Sequence, residues 1–380
     1  MPNKKKVMII AGEASGDLHT AKVVRQMQAL DPHIAFTGIG GPAMAEAGVD
    51  LLYRAEDLAL VGVSEVFGKL GHIWKAMNMV KRRLKSQRPD LLILTDFPDF
   101  NFRIAAYAKR LGLKVLYYVS PQVWAWRSGR AAKMARLVDH LAVVFPFEKD
   151  FYARKAPGLA VTFVGHPLLD EEEERAQQIT PPWPFDKGKT VIGLLPGSRF
   201  SEITRLMPLM VETSKILAAK RPDLQFALPV APGLDEKDLT PYLDGAAPSI
   251  TFMPQAAQQV MRKADLLLIA SGTATMQGAL AATPMVVVYK TGNLNYFLGK
   301  RLIKVVHIAM PNLIAGHGLL PELIQNEANP KNLAHNALLL LEDETRRRHM
   351  VEGLKRVRQR LGCAGASKNV AQLAINMIGD

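Results

Sequence analysis

Short apolar runs alternate with helix-like segments along most of this chain of 380 residues. A buried strand of a parallel sheet reads as a continuous apolar run, and helices connect such strands on both faces of the sheet. The runs are KVMIIAG, HIAFTGIG, DLLILTD, KVLYYVS, HLAVVF and VTFVG in the first half, and TVIGLLPG, QFALPV, SITFMP, DLLLIAS and PMVVVY in the second. This alternation predicts an α/β protein with two Rossmann-like, doubly wound parallel sheets.

The division into domains follows from where the strand pattern stops. We predict an N-terminal domain over residues 1–169, a linker over 170–189 and a C-terminal domain over 190–356. The linker carries four consecutive glutamates and three prolines and shows no strand pattern. In two-sheet enzymes a final helix often crosses back to brace the first domain, and the segment 357–380 is the candidate for that role.

Composition restricts the partners and the compartment. The formal net charge of +13 favours anionic partners, which include phosphorylated metabolites, anionic lipid and nucleic acid. Cys363 is the only cysteine, which excludes an internal disulfide and fits a reducing compartment. The apolar stretch near the start is too short for a signal peptide, and no apolar run is long enough for a bilayer span. We therefore expect a cytosolic protein.

The first strand-to-helix loop, AGEASGDLHT, is a candidate ligand site, because parallel sheets bind ligands at the carboxyl ends of their strands. Its two glycines permit close backbone approach, whereas its polar residues would equally well cap the next helix. The candidate residues are Gly12, Glu13, Ser15, Gly16 and Asp17. In the second loop, residues 38–43 match the relaxed dinucleotide pattern G-x-G-x-x-A, with Glu56 or Asp57 following, but the pattern is common by chance.

Two carboxylates, Asp96 and Asp99, follow the very apolar strand DLLILTD. A general base must reach a substrate hydroxyl, and a carboxylate at a strand end is well placed to do so. Asp99 would serve equally well as the N-cap of a helix starting near Phe100, a contribution of about 1 kcal/mol. Both interpretations stay open at this point.

The loop SPQVWAWRSGR places Trp124 and Trp126 two residues apart, with Arg127 and Arg130 after them. Trp and Arg together stack on rings or bind phosphate. The alternative for the tryptophans is packing between the domains.

Two loops of the second domain predict a diphosphate site. Gly197, Ser198 and Arg199 in LLPGSRFSEI end a strand and open a helix, where backbone N–H groups and a bidentate guanidinium suit an anion. A second such loop, ASGTATMQGAL, offers the hydroxyls of Ser271, Thr273 and Thr275. A purely structural role for both loops is the alternative. The Walker lysine motif is absent from the sequence, which excludes a P-loop nucleotide hydrolase. The histidines are scattered and form no metal-binding cluster, so we expect no metal ion, and we expect no cofactor.

The segment 58–88 is basic and carries apolar residues at helical spacing. It has no acidic residue between Glu65 and Asp90. This pattern is typical of a helix lying on an anionic membrane, but a helix covering a sheet needs the same apolar stripe. The residues that would face the membrane are Val66, Phe67, Leu70, Ile73, Trp74 and Met77.

Taken together, these motifs resemble one family, the lipid A disaccharide synthases. These are inverting glycosyltransferases of the GT-B architecture, with two Rossmann-like domains facing a cleft. The matching stretches keep the family's order and cover most of residues 7–326: GEASGD, GIGGPAM, DFPDFN, SPQVWAWR, PFE, VGHPL, LPGSR, SGTAT, MPNLIAG and LPELIQ.

The resemblance implies a reaction and a set of roles. The acceptor, a 2,3-diacylglucosamine 1-phosphate, would attack UDP-2,3-diacylglucosamine with inversion to give a β-1,6 disaccharide and UDP. Asp99 is the expected base, with Asp96 second. The first loop, from Gly12 to Asp17, would form the acceptor site together with Trp124 and Arg127. The leaving diphosphate would bind Arg199 and the loop of Ser271, Gly272, Thr273, Ala274 and Thr275. The residues implied to line the nucleotide and sugar pocket are Gln277, Asn312 and Gln325.

The resemblance also implies a location on the cytoplasmic face of the inner membrane, a homodimer and no nucleic acid partner. The family reads SGTATLE where this chain reads SGTATMQ, so Gln277 stands where a glutamate is usual. Two other functions stay open: a UDP-sugar 2-epimerase-like enzyme on the same fold, and a basic protein that binds RNA or an anionic surface.

Overall fold

The computed structural model describes residues 4–59, 66–121, 123–126, 129–176, 181–231, 233–243, 248–292 and 306–379. Internal contacts divide the chain into two compact units. The first comprises Met1–Ala176 with Leu361–Asp380, and the second comprises Gln177–Arg360.

The first unit contains one parallel sheet with helices between its strands. The strands are β1 Lys6–Ala11, β2 Ala35–Gly40, β3 Asp50–Arg54, β4 Leu91–Thr95, β5 Val115–Tyr118, β6 His140–Val143 and β7 Ala160–Phe163. The helices are α1 Ala14–Leu30, α2 Pro42–Glu46, α3 Glu56–Ala59, α4 Val66–Gln87, α5 Pro98–Arg110, α6 Val123–Trp126, α7 Arg130–Leu137, α8 Pro146–Lys155 and α9 Pro167–Ala176. The strand order is β3-β2-β1-β4-β5-β6-β7.

The second unit repeats this plan. Its strands are β8 Val191–Leu195, β9 Gln225–Val230, β10 Ile250–Pro254, β11 Leu266–Ala270, β12 Met285–Tyr289 and β13 Glu322–Ile324, in the order β10-β9-β8-β11-β12-β13. Its helices are α10 Phe200–Lys220, α11 Glu236–Leu239, α12 Ala257–Lys263, α13 Thr273–Leu280, α14 Met310–Ala315, α15 Pro330–Glu342 and α16 Glu344–Arg360. The last helix of the chain, α17 Ala366–Gly379, belongs to the first unit.

The prediction of two doubly wound parallel sheets is confirmed. All five residues of β4, β8 and β11 are buried, as expected of central strands covered on both faces. Two strands were not predicted, β3 and β13. Both lie at a sheet edge, where partial burial leaves only a weak apolar pattern.

The strand order reverses between β1 and β4 in the first sheet and between β8 and β11 in the second. These pairs are direct neighbours, with Ala11 beside Thr95 and Leu195 beside Ile269. The loops leaving the carboxyl ends of each pair therefore lie together at the point where doubly wound sheets bind ligands. This places the loops at Gly12 and Asp96 together in one unit, and the loops at Gly197 and Ser271 together in the other.

Residues 170–176, which we expected in the linker, form most of helix α9 in the first unit. Asp170 accepts hydrogen bonds from the backbone N–H groups of Gly365, Ala366 and Ser367, at 2.7 to 3.1 Å, and so caps α17. Glu174 pairs with Lys22 of α1 at 2.7 Å. The acidic run is therefore a helix that ties the end of the chain to the first sheet.

Helix α4 corrects part of the predicted membrane face. Met77 is buried in the core with Val80 and Leu84, and Ile73 packs partly buried against that core. Of the three predicted residues whose side chains are described, only Trp74 projects, with 71% of its surface exposed. The side chains of Val66, Phe67 and Leu70 lie outside the described residues. Among the helices that are described, none combines the length and the apolarity needed to cross a bilayer.

Candidate active site

The turn that joins β4 to α5 is the most unusual backbone feature of the first unit. Asp96 and Phe97 both adopt the left-handed conformation, with φ of +49° and +44°. For a residue other than glycine this conformation costs about 1–3 kcal/mol, and it persists only where the surroundings hold it. Such strain concentrates at functional sites.

Hydrogen bonds from two neighbouring elements hold this turn. The hydroxyl of Tyr117 on β5 donates to the Asp96 carbonyl at 2.7 Å. The side-chain amide of Asn101 on α5 donates to the carbonyls of Asp96 and Thr95, at 2.7 and 3.1 Å. Sequence reasoning missed Tyr117 and Asn101, because both lie among core residues and nothing in their spacing points to the turn.

The Asp96 carboxyl is poised to exchange a proton near neutral pH. Burial raises its pKa to about 7, and the negative charge of Glu13 in the β1–α1 loop adds to the shift. Among the described residues, no hydrogen-bond donor reaches this carboxylate. A Cβ atom at Gly16 of α1 would lie 2.7 Å from its Oδ2 atom, so the glycine leaves room for the carboxylate.

Asp99 has a different environment. Its side chain is 79% exposed and accepts a hydrogen bond from Arg130 at 2.9 Å. Helix α5 begins at Pro98 with Phe97 as its N-cap, so the interpretation of Asp99 as the N-cap is wrong. Asp99 lies within the first turn of the helix, where its charge interacts favourably with the helix dipole.

Asp17 has a structural role in this fold. Its carboxylate accepts hydrogen bonds from the backbone N–H groups of Gly41, Ala43 and Met44, at 2.7, 3.0 and 3.1 Å. It therefore caps α2, and the expectation that it caps α1 is wrong, since the N-cap of α1 is Glu13. The helix end that the dinucleotide pattern at 38–43 would offer to a pyrophosphate is already occupied by Asp17. Ser15 is exposed at the surface and Gly12 is buried.

A buried carboxyl stabilises the start of α8, the helix that contacts the loop after β5. Glu148 of α8 is 1% exposed, its pKa is raised to about 8 by burial, and it accepts a hydrogen bond from the Phe145 N–H at 3.0 Å. Trp124 packs edge-on against Phe147, with ring centroids 5.0 Å apart. This tryptophan thus contacts its own unit. Arg127 lies outside the described residues.

In the second unit, the turn from β8 to α10 already holds an anion. The Glu202 carboxylate accepts hydrogen bonds from the backbone N–H groups of Ser198 and Arg199, at 3.2 and 3.3 Å. Gly197 has φ of +112°, and a side chain there would collide with this carboxylate. The Arg199 side chain is 80% exposed, 3.9 Å from Glu202. The two N–H groups that we expected to face a phosphate are therefore bound to the protein's own carboxylate.

The neighbouring turn from β11 to α13 remains more open. Ser271 is half-buried, and Gly272 and Thr273 are exposed. Thr275 is wholly buried and its hydroxyl donates to the Gly272 carbonyl at 2.7 Å. The Thr275 hydroxyl thus closes the first turn of its own helix. Ala274 and Gln277 are half-buried on α13.

Two residues expected in the nucleotide pocket have their polar atoms engaged inside the unit. Asn312 is fully buried and exchanges hydrogen bonds with the backbone of Leu320, at 2.8 and 3.0 Å. Gln325 forms a pair of hydrogen bonds with the backbone of Thr291, at 2.7 and 3.1 Å. These contacts shape the loops and use the side-chain amides within the unit, and the expectation that both residues line the nucleotide pocket stays a prediction.

Sequence reasoning missed Glu322, which organises the same region. Its carboxylate accepts hydrogen bonds from the N–H groups of Ile308 and Ala309, at 2.9 and 3.0 Å, and from Asn312 at 2.6 Å. It therefore holds the backbone that leads into α14. A lone carboxylate within the otherwise apolar stretch PELIQ was the available signal.

The family model described as lipid-A-disaccharide synthetase matches residues 7–375. The chain belongs to this family. The lipid-A-disaccharide synthase of Geobacter metallireducens is 45% identical over 381 residues, which span 100% of this chain and 98% of that protein. This confirms the prediction that the chain is a member of the lipid A disaccharide synthase family, and the prediction that it is an enzyme.

Solved structures confirm the fold of this synthetase family member. The glycotransferase of kitacinnamycin superposes with a TM-score of 0.67 at 17% identity, covering 99% of this chain and 100% of that one. A UDP-GlcNAc 2-epimerase from Neisseria meningitidis, solved with UDP-GlcNAc, gives a TM-score of 0.66 at 13% identity, covering 98% and 100%. At these identities the likeness is one of fold, so it does not choose between transferase and epimerase chemistry.

Proposed function

We propose that the protein transfers a diacylglucosamine residue from UDP-2,3-diacylglucosamine to the 6-hydroxyl of 2,3-diacylglucosamine 1-phosphate. The products are the β-1,6-linked disaccharide 1-phosphate, with inverted anomeric configuration, and UDP. Family membership over residues 7–375 supports this reaction. The observation that carries the mechanism is the Asp96 carboxyl, held in a strained turn at the switch point of its sheet with its pKa raised to about 7.

Asp96 is the base in this proposal, in place of the Asp99 that the resemblance favoured. A general base works best when its pKa lies near the working pH, and Asp96 meets this condition because of its burial. Asp99 is exposed and bound to Arg130. In the reaction, Asp96 takes the proton of the acceptor 6-hydroxyl while that oxygen bonds to the donor anomeric carbon. The bond from that carbon to the UDP oxygen breaks at the same step.

The leaving diphosphate gains negative charge, and we assign its binding to the second unit. Arg199, which is 80% exposed, can pair with two phosphate oxygens. The N-terminus of α13 adds the partial positive charge of its first N–H groups, beside Ser271, Gly272 and Thr273. A diphosphate that uses the N–H groups of Ser198 and Arg199 must displace the Glu202 carboxylate from them.

A single assay tests the reaction. The protein is incubated with UDP-2,3-diacylglucosamine, with and without the acylated sugar phosphate, and UDP and lipid products are measured. We expect UDP release and a disaccharide only when both substrates are present. UDP release or a 2-epimer from the donor alone would favour the epimerase alternative, and the absence of any turnover would contradict the proposal.

We also propose that the first unit meets an anionic membrane surface, from which acylated substrates are taken. Trp74 projects from α4 with Lys75 and Arg82 exposed on the same helix. Binding to vesicles containing phosphatidylglycerol should weaken in Trp74→Ala, whereas the control Leu30→Ala, at another exposed apolar residue, should bind as wild type. Equal binding by both variants would contradict this role. The homodimer implied by the resemblance stays a prediction, which light scattering of the purified protein tests.

A further inference from the structure

The Asp96 turn depends on a residue that lies outside it. Asp96 and Phe97 are both left-handed, so the turn needs contacts from other elements to keep this conformation. One of them comes from within the same segment, because Asn101 on α5 bonds the Asp96 carbonyl at 2.7 Å. The other comes from the adjacent strand, where the Tyr117 hydroxyl reaches the same carbonyl at 2.7 Å.

Tyr117 reaches this carbonyl from the protein interior. It is the third residue of β5 and is fully buried in the core of the first unit. Its ring packs near Phe102 of α5, with centroids 6.3 Å apart. The hydroxyl is thus fixed by both the sheet and the helix that flank the turn. Movement of the Asp96 carbonyl would break this hydrogen bond to a buried hydroxyl, which is unfavourable.

We propose that Tyr117 is a positioning residue for the transfer reaction: its hydroxyl holds the Asp96 backbone in the left-handed conformation that directs the carboxylate toward the acceptor. This inference rests on the proposed role of Asp96 as the base. Tyr117 contacts the backbone carbonyl and acts on the substrate only through the placement of the carboxylate. A displacement of a reacting group by about 1 Å can lower a rate about a hundredfold.

The next residue provides a matched control. Tyr118 is also fully buried on β5, and its hydroxyl has no hydrogen-bond partner among the described residues. Tyr117→Phe and Tyr118→Phe therefore remove the same atom from adjacent residues of one strand. Only the first removes a hydrogen bond to the turn.

The titratable groups around the Asp96 carboxyl come from three elements. They are Glu13 in the β1–α1 loop and the phenols of Tyr117 and Tyr118 on β5, together with Asp99 in the first turn of α5, which interacts with Tyr117. Neither phenol ionises at neutral pH, since burial raises the pKa of both well above the ordinary value. A change in the pH profile of Tyr117→Phe therefore reports on the environment of the carboxyl.

The experiment measures kcat, KM for both substrates, and the pH dependence of kcat/KM in the two variants and the wild type. For Tyr117→Phe we expect kcat to fall about ten- to a hundredfold with KM within about twofold. The rise of kcat/KM with pH, its acid limb, should move to lower pH. A relaxed turn lets water reach the carboxylate, which lowers the pKa of Asp96. Tyr118→Phe should match the wild type.

Each other outcome has a defined meaning. In one outcome, Tyr117→Phe and Tyr118→Phe have the same kcat and the same acid limb, while Asp96→Asn is inactive. The positioning role of Tyr117 is then wrong, and the assignment of Asp96 as the base stands. If Asp96→Asn itself remains active, the proposed base is wrong. If Tyr117→Phe fails to fold or loses affinity for UDP, which we assign to the second unit, the hydroxyl serves the fold in general and the inference is overturned.

Discussion

The turn after β4 in the first unit and the turn after β8 in the second both lie at the switch point of a parallel sheet, yet they differ in construction. In the first, two residues other than glycine take positive φ, and the Asp96 carboxylate receives no hydrogen bond from the described residues. In the second, Gly197 takes φ of +112°, and the Glu202 carboxylate is bound by two backbone N–H groups.

The difference teaches what each turn can do. A left-handed aspartate is strained, and its buried carboxyl has a raised pKa, so the first turn presents a side chain that can take a proton. A left-handed glycine adopts its conformation without strain, and the second turn presents backbone N–H groups and the exposed Arg199. One turn suits proton transfer and the other suits the binding of an anion.

The largest expected effect is the difference in kcat between variants of Asp96 and of Asp99. Asp96→Asn removes the base and should lower kcat about a thousandfold, since general base catalysis contributes about 10²–10⁴. Asp99→Asn should lower kcat by less than about tenfold, because it removes an exposed ion pair. Initial rates of UDP release measure both. A larger loss in Asp99→Asn than in Asp96→Asn would reverse the assignment.

Two glycine substitutions should divide the functions of the two turns. The Cβ atom of Gly16→Ala would lie 2.7 Å from Asp96 Oδ2 and displace the carboxylate, lowering kcat about a hundredfold with unchanged UDP affinity. The Cβ atom of Gly197→Ala would collide with the Glu202 carboxylate at a left-handed position, so the turn must rearrange, and UDP binding should weaken about tenfold. Kinetics and calorimetry measure the two effects. If both variants lost kcat alone, or both lost UDP affinity alone, the division of functions between the two turns would be wrong.

Arg199→Ala tests the second turn alone. Loss of a charged hydrogen-bonding partner should weaken UDP binding by about 1.5–3 kcal/mol, roughly ten- to a hundredfold. Arg199→Lys should recover only part of the affinity, since an ammonium lacks the bidentate geometry. Titration calorimetry with UDP gives the values. Wild-type affinity in Arg199→Ala would remove the diphosphate from this turn.

A smaller effect is expected at Gln277, where the family usually has glutamate. A neutral amide accepts weaker hydrogen bonds from ribose hydroxyls than a carboxylate does, so Gln277→Glu should tighten UDP binding by about 1 kcal/mol. The same calorimetric titration measures it. Equal affinities in the variant and the wild type would discard the explanation.

The sequence was sufficient for the fold and for placing the candidate residues at the carboxyl ends of central strands. The apolar runs identified the central strands, because burial on both faces demands continuous apolar residues. The strands β3 and β13 were not predicted, because edge strands are only partly buried and lack a continuous apolar run. Asp96 and Arg199 were identified because they follow strands, and the switch points then brought their loops next to other candidate residues.

The choice of Asp96 rather than Asp99 as the proposed base could not be made from the sequence. It depends on the conformation of Asp96, which Tyr117 fixes from 21 positions away. The internal roles of Asp17 and Gln325 likewise depend on backbone partners 24 to 34 positions distant. Spacing along one chain does not reveal such contacts, because the fold alone brings their partners together.

The pH dependence of kcat/KM tests the role of Asp96 most directly. The base acts in its deprotonated form, so with a pKa of about 7 the value should rise with pH up to about 7 and then level off. This rise of kcat/KM with pH should persist in Asp99→Asn. It should also persist in Glu148→Gln, which removes another carboxyl whose pKa is raised. A profile that stays flat down to pH of about 5, or a limb that disappears in Asp99→Asn, would contradict the account.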